Sequence, residues 1–163
     1  MRSRTSSWFE TKIRFDRTME DGSVKKVTEL YVVDALSFAE AESTITEEMS
    51  AYISGEFDVK AITPATYGEI FFSDSGTDDR WYKTKLQFIT LDEKSGKEKR
   101  TSVFYLVQAG SLNGAVKNID AVMGTTQIDY VIAAINETQI MDVFEHRVKS
   151  QKMSDVKPEY EAE

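Results

Sequence analysis

The amino-acid sequence repeats itself after 73 or 74 positions, and this repetition limits the folds open to it. Trp8-Phe9-Glu10-Thr11-Lys12-Ile13-Arg14-Phe15 returns as Trp81-Tyr82-Lys83-Thr84-Lys85-Leu86-Gln87-Phe88. Between Lys25 and Met49, eight of 25 positions are identical to the residue 74 positions later, whereas average composition predicts about one or two. At a spacing of 73, Glu69-Ile70-Phe71 matches Asp142-Val143-Phe144. The repetition therefore predicts two similar units.

Each copy begins with the pattern of a pair of strands. Apolar residues and a threonine alternate with charged residues in positions 9–16, as in a strand with one buried face. Asp21-Gly22 and Ser95-Gly96 are typical of hairpin turns. The returning strands, at 27–33 and 101–107, are apolar on both faces, which indicates strands inside a sheet.

A helix and two further strands complete each copy. Ser37 and Ser111 are predicted N-caps, with Glu40 completing a capping box in the first copy only. Gly55 and Gly124 fall where helices often end in a left-handed residue. Apolar side chains recur at helical spacing, which predicts one face packed on a sheet: Phe38, Ala41, Ile45, Met49 and Tyr52, then Leu112, Ala115, Ile119 and Met123.

We therefore predict an α+β fold built by tandem duplication of a strand-strand-helix-strand-strand unit, with mainly antiparallel sheets, one helix on each sheet and a pseudo-twofold axis. The expected organisation is a flexible N-terminus at 1–7, a first repeat unit at 8–72 and an acidic linker at 73–80. A second unit follows at 81–146 and a polar, disordered tail at 147–163. The two units are expected to form one integrated domain.

Composition restricts the function classes. The chain has no cysteine, and no run of 18 apolar residues, so we expect a soluble cytoplasmic protein with no membrane partner. The net charge of −8 argues against general binding to duplex DNA. Its one histidine, His146, has no catalytic or metal-binding motif around it, and no phosphate-binding glycine loop occurs. We expect no metal, no cofactor and no enzymatic activity.

The repeat also retains aromatic and basic residues on the strand face opposite the predicted core. Aromatic side chains and cations suit a single-stranded nucleic acid, whose bases stack and whose phosphates attract cations. Alternatively, the tryptophans cap the core or fill the interface between the units, while the lysines keep the sheet soluble and its edges unpaired. The predicted ligand-binding set is Trp8, Lys12, Arg14, Lys25, Trp81, Lys83, Lys85 and Lys99.

Three functions are compatible with this set. The first is a non-catalytic module that binds single-stranded nucleic acid. The second is a module that binds a small molecule or a nucleotide-like signal in a pocket between the repeats. The third is an assembly protein that forms homo-oligomers through the same face.

Several segments resemble one known family. They are Trp8-Phe9, Tyr31-Val32-Val33-Asp34-Ala35-Leu36-Ser37-Phe38-Ala39-Glu40-Ala41-Glu42, Ile70-Phe71-Phe72-Ser73-Asp74, Asp79-Arg80-Trp81-Tyr82-Lys83 and Ile140-Met141-Asp142-Val143-Phe144-Glu145. The family is a domain family of unknown function found in gut Bacteroidales bacteria and their phages, and the resemblance covers about 8–146. It implies a bacterial or phage setting and supplies no catalytic residues.

Overall fold

The computed structural model describes residues 1–146, and within this range the chain forms two helices and nine strands. The α+β class is confirmed, with strands predominating. The predicted tail at 147–163 lies outside the described residues. The elements are β1 (Arg2–Thr5), β2 (Trp8–Thr18), β3 (Val24–Asp34), α1 (Phe38–Tyr52), β4 (Phe57–Pro64), β5 (Glu69–Phe72), β6 (Arg80–Leu91), β7 (Glu98–Ala109), α2 (Leu112–Met123), β8 (Asp129–Glu137) and β9 (Ile140–Phe144).

The strands form two open sheets. One has five strands in the order β1-β5-β7-β6-β8, and the other has four in the order β4-β2-β3-β9. Antiparallel pairing joins β1 to β5, β2 to β3 and β4, and β6 to β7 and β8. The pairing of β5 with β7 is parallel. The returning strands β3 and β7 lie inside their sheets, as their apolar faces predict.

The compact units of the structure differ from the predicted boundaries. One unit combines Met1–Ser6 with Ala65–Met141, and the other combines Ser7–Pro64 with the described residues from Asp142 onward. The reason is that β5, which the sequence groups with the first copy, joins the sheet of β6 and β7, while β9 joins the sheet of β2 and β3. Each sheet thus contains a strand from the other copy of the sequence.

The N-terminal segment is also more ordered than the flexible end expected at 1–7. Residues Arg2 to Thr5 form β1, which pairs with β5 from Arg2–Phe72 to Thr5–Glu69. The Arg2 guanidinium lies 4.1 Å from the centre of the Phe72 ring, and the terminal ammonium pairs with Asp74. Backbone pairing and a cation–aromatic contact therefore hold this segment in the five-stranded sheet.

Both helices begin as predicted. The Ser37 hydroxyl accepts a hydrogen bond of 3.1 Å from the Glu40 amide, and the Ser111 hydroxyl accepts one of 3.0 Å from the Gly114 amide. Helix α1 packs on β2, β3 and β4, whereas α2 packs on β7 and β5. Gly124 ends α2 with a right-handed conformation, so the expected left-handed residue is wrong there.

The apolar stripes of the helices are confirmed in their central turns. The buried positions are Ala41, Ile45 and Met49 in α1 and Ala115, Ile119 and Met123 in α2. The predicted end positions Phe38, Tyr52 and Leu112 are exposed instead. Phe38 nevertheless packs edge-on against Phe9, with ring centres 5.1 Å apart.

The hairpin turns and strand alternation also agree with the sequence. Gly22 and Gly96 adopt φ values of 84° and 67°, which glycine reaches without a steric penalty. Thr11, Ile13 and Phe15 are buried, whereas Lys12 and Arg14 between them are exposed.

Candidate functional site

The two tryptophans of the predicted ligand-binding set are buried. Trp8 and Trp81 are each 2% exposed. Trp81 packs edge-on against Phe72, with ring centres 5.7 Å apart, and its carbonyl accepts hydrogen bonds from the amide and hydroxyl of Thr138. A ring without solvent contact cannot stack on a nucleotide base, so the predicted stacking role of both tryptophans is corrected to a packing role.

The predicted cations have different surroundings. Lys12, Arg14, Lys25 and Lys99 are exposed, whereas Lys83 and Lys85 are half-buried along β6. The Lys83 ammonium lies 6.0 Å from the centre of the buried Tyr67 ring. Lys83 therefore helps to cover an aromatic side chain, and the four exposed cations are the part of the predicted set that solvent reaches freely.

Carboxylates accompany these cations. A shallow depression in the four-stranded sheet is lined by two cations and three carboxylates together with two phenylalanines: Arg14, Lys26, Asp16, Glu56, Asp58, Phe15 and Phe57. Next to Lys99 in β7, the Arg100 guanidinium lies 3.4 Å from a carboxylate oxygen of Glu98. Carboxylates thus lie beside Arg14 in the four-stranded sheet and beside Arg100 in the five-stranded sheet.

A more closely connected group of ionisable side chains surrounds Tyr31. Glu29 is 6% exposed, and one of its carboxylate oxygens accepts a 3.0 Å hydrogen bond from the Tyr31 hydroxyl. Its other oxygen lies 3.0 Å from the Arg17 guanidinium. Burial, reinforced by the charge of Glu29, raises the pKa of the Tyr31 phenol far above its usual range. The phenol is therefore a neutral donor at physiological pH.

The loop predicted as an acidic linker is bound to the body of its sheet. The Asn118 amide donates to the Gln108 carbonyl at 2.8 Å, and the Gln108 side chain donates to the Asp78 carbonyl at 2.9 Å. The Gln108 side-chain oxygen accepts from the Ser73 amide at 2.9 Å. These donors and acceptors satisfy one another's hydrogen-bonding requirements, which indicates that the loop has a structural role.

The outer strand β8 differs from its counterpart β4. Each has one residue without a partner in the neighbouring strand, at Ala133 in β8 and Lys60 in β4. Strand β4 carries Lys60 paired with Asp58 at 3.8 Å, and it ends in Pro64. From Tyr130 to Asn136, β8 has no charged residue and no proline. Charge, proline and irregularity are the usual protection of a sheet edge, and between Tyr130 and Asn136 β8 has only the irregularity.

The other two outer strands are short. Strand β1 has four residues, two of them arginine, and β9 has five residues that include Asp142. Strand β8 has nine residues, and Ala133 and Ala134 are exposed. Among the described residues it is the one long outer strand without a charge in its middle. It is therefore the candidate functional site.

The profile of a domain family of unknown function, DUF4494, matches residues 7–146. The chain belongs to the DUF4494 family. No curated protein and no solved structure matches the chain. Within the described part of this DUF4494 chain, no helix is long and apolar enough to cross a membrane. The bacterial and phage setting implied by the resemblance stays a prediction.

The sequence contained a signal for this edge. Residues 128–135 are more uniformly apolar than the matched residues in the first copy, and the alanine at position 133 stands where the first copy has Lys60. Hydrophobicity alone is equally typical of a buried central strand. What sequence analysis of the DUF4494 chain missed was the strand order that places this apolar segment at an edge.

Proposed function

We propose that the protein is a non-catalytic assembly module that binds another polypeptide by strand addition at β8. The observation that carries this proposal is the uncharged outer edge of β8 from Tyr130 to Asn136. An extended peptide beside such a strand gains main-chain hydrogen bonds, and alternate side chains give it specificity. The presence of Lys60 at the matched position of β4 supports the interpretation, because that edge has the protection that β8 lacks.

The alternatives from the sequence have weaker support. Single-stranded nucleic acid would have to bind through Lys12, Arg14, Lys25 and Lys99 without help from the buried tryptophans. For small molecules, the depression around Arg14 is lined mostly by charged side chains, whereas such pockets are usually apolar. A carboxylate-rich surface also repels phosphates.

Selection from a displayed library of random peptides as long as β8 tests the proposal. We expect the selected peptides to be rich in β-branched and aromatic residues, and their binding to the full chain, measured by fluorescence polarisation, to be lost in Ala133→Lys. Ser43→Lys, which adds the same charge on the exposed surface of α1, serves as the matched control. Peptides that bind both variants equally would refute an edge site.

A labelled single-stranded oligonucleotide provides the competing measurement. We expect no salt-dependent change in its polarisation with the wild-type protein. Salt-dependent binding that Lys12→Ala weakens and Ala133→Lys leaves unchanged would instead favour the nucleic-acid alternative.

We also infer that the two copies arose by tandem duplication. This inference is supported by the matched serine caps of α1 and α2 and by the matched strand orders β4-β2-β3-β9 and β8-β6-β7-β5. Failure of one sheet with its helix to superpose on the other would contradict it.

A further inference from the structure

The occupant of the β8 edge can be named from the number and length of the edges. Two open sheets have four outer strands, here β1, β4, β8 and β9. Three of them are short or charged, and β8 alone among the described strands is long and uncharged in its middle. A protein with one such edge can bind a single partner through it and has no second edge of this kind among its described strands to bind another. Assembly through β8 would therefore stop at a pair.

We propose that β8 pairs in antiparallel orientation with β8 of a second copy, which joins two five-stranded sheets into one continuous sheet. This inference rests on the proposed strand addition and names its partner. When the same edge of two copies pairs, the contact is complete in a twofold dimer. If each chain had two different unprotected edges that bind each other, copies could instead add head to tail into an open filament.

The charges at the ends of β8 are compatible with this pairing. Asp129 and Glu137 flank the uncharged segment. In an antiparallel pair centred on Ile132, Asp129 faces Ile135 of the second copy, so no carboxylate lies opposite another. A pair centred on Ala133 would place Asp129 opposite Glu137 and is disfavoured, because like charges directly opposite each other destabilise a sheet.

Light scattering on the full chain, from low micromolar to near-millimolar concentration, tests the dimer. We expect the mass to rise to twice that of one chain, Ala133→Lys to stay at the mass of one chain, and Ser43→Lys to behave as wild type. The lysine introduced at position 133 copies Lys60 at the matched position of β4, and Ala133 is exposed, so we expect the variant to fold. A wild-type protein that stays monomeric throughout, or a dimer that survives in Ala133→Lys, would overturn the proposal.

Cross-linking gives a second readout that does not depend on a destabilising charge. Because the natural chain has no cysteine, Ala133→Cys carries a single thiol, and so does Lys60→Cys at the matched position of β4. A short bifunctional maleimide should join two chains of Ala133→Cys and leave Lys60→Cys uncross-linked. Equal cross-linking of both variants would contradict an interface at β8.

The two proposals fail in distinguishable ways. If the wild-type protein is monomeric but binds selected peptides that Ala133→Lys rejects, strand addition stands and the second copy is the wrong partner. If the protein is monomeric and the peptides bind equally to Ala133→Lys, both proposals are wrong.

Discussion

Tyr31 of the four-stranded sheet and Tyr105 of the five-stranded sheet occupy matched positions but have different electrostatic surroundings. Tyr31 stacks on Phe144 with ring centres 5.5 Å apart, and Tyr105 stacks on Phe71 with ring centres 4.9 Å apart. Tyr31 also donates to the buried Glu29, whereas the residue matched to Glu29 is Val103. The shared part of the two sites is aromatic packing, and the differing part is charge.

The outer strands β4 and β8 likewise share a structural feature and differ in charge. Strands β4 and β8 share an irregularity at matched residues, but Lys60 stands in one and Ala133 in the other. The four-stranded sheet therefore has a charged edge and a buried carboxylate, and the five-stranded sheet has neither at the matched positions. Matched residues report what the fold requires, so the differences are the better guide to what each sheet does.

The largest expected change in stability tests the packing that the two sheets share. Ile45 and Ile119 are both fully buried beneath their helices. Ile45→Ala and Ile119→Ala should each lower the free energy of unfolding by about 3 kcal/mol, since each removes buried methyl groups and leaves a cavity. Denaturant titration measures the change, and Leu112→Ala at an exposed helix position should cost less than about 1 kcal/mol. A large difference between the two isoleucines would show that the two sheets are not equivalent in packing.

The next effect tests the charged part of the comparison. Arg17→Met should lower the free energy of unfolding, because the buried carboxylate of Glu29 would lose the guanidinium that lies 3.0 Å from it. Arg14→Met on the same strand removes an exposed cation and should change stability by less than about 0.5 kcal/mol. Equal losses in the two variants would mean that the ion pair with Glu29 contributes nothing specific.

The sequence predicted the parts of this fold that depend on local pattern. Alternation identified β2 and β6, the Gly22 and Gly96 turns followed from their dipeptides, and the Ser37 and Ser111 caps followed from helix-start chemistry. Each of these features is fixed by residues that are neighbours in the chain.

Features set by distant residues were not predicted. The exchange of β5 and β9 between sheets depends on strand pairing across more than 30 residues, as in the contact of Ile70 with Leu106. Outward alternation was correct for Trp81, but nothing local shows that Phe72 covers its ring. Exposure of a residue on the face away from the helix therefore cannot be inferred from alternation alone.

A smaller effect distinguishes two matched threonines. The Thr11 hydroxyl donates a 2.9 Å hydrogen bond to the Tyr31 carbonyl, whereas the buried Thr84 hydroxyl has no partner among residues 1–146. Thr11→Val should cost about 1 kcal/mol, and Thr84→Val should be neutral or slightly stabilising, because valine has the same shape and no polar group to desolvate. Thermal and denaturant unfolding of both variants measure the two values. A loss of about 1 kcal/mol in Thr84→Val would show that its hydroxyl has a partner, such as a bound water.

The smallest expected effect appears at alkaline pH. Burial raises the pKa of Tyr31 and of Tyr105; Glu29, which is hydrogen-bonded to Tyr31, raises the pKa of Tyr31 further, and the charge of Glu69 raises that of Tyr105. An unfolded phenol loses its proton near pH 10 while the folded one keeps it, so stability is intact below pH 10 and declines above it, as pH rises towards the raised folded pKa. At pH 10, partial ionisation of the Tyr31 phenol in the unfolded chain should lower the free energy of unfolding by about 0.4 kcal/mol. Subtracting the phenolate absorbance of Tyr31→Phe and Tyr105→Phe from that of the wild-type protein isolates each titration. We expect Tyr31 to ionise at a higher pH than Tyr105, because Tyr31 donates to the Glu29 carboxylate whereas the five-stranded sheet has Val103 at the position matched to Glu29. The reverse order would contradict the role of Glu29.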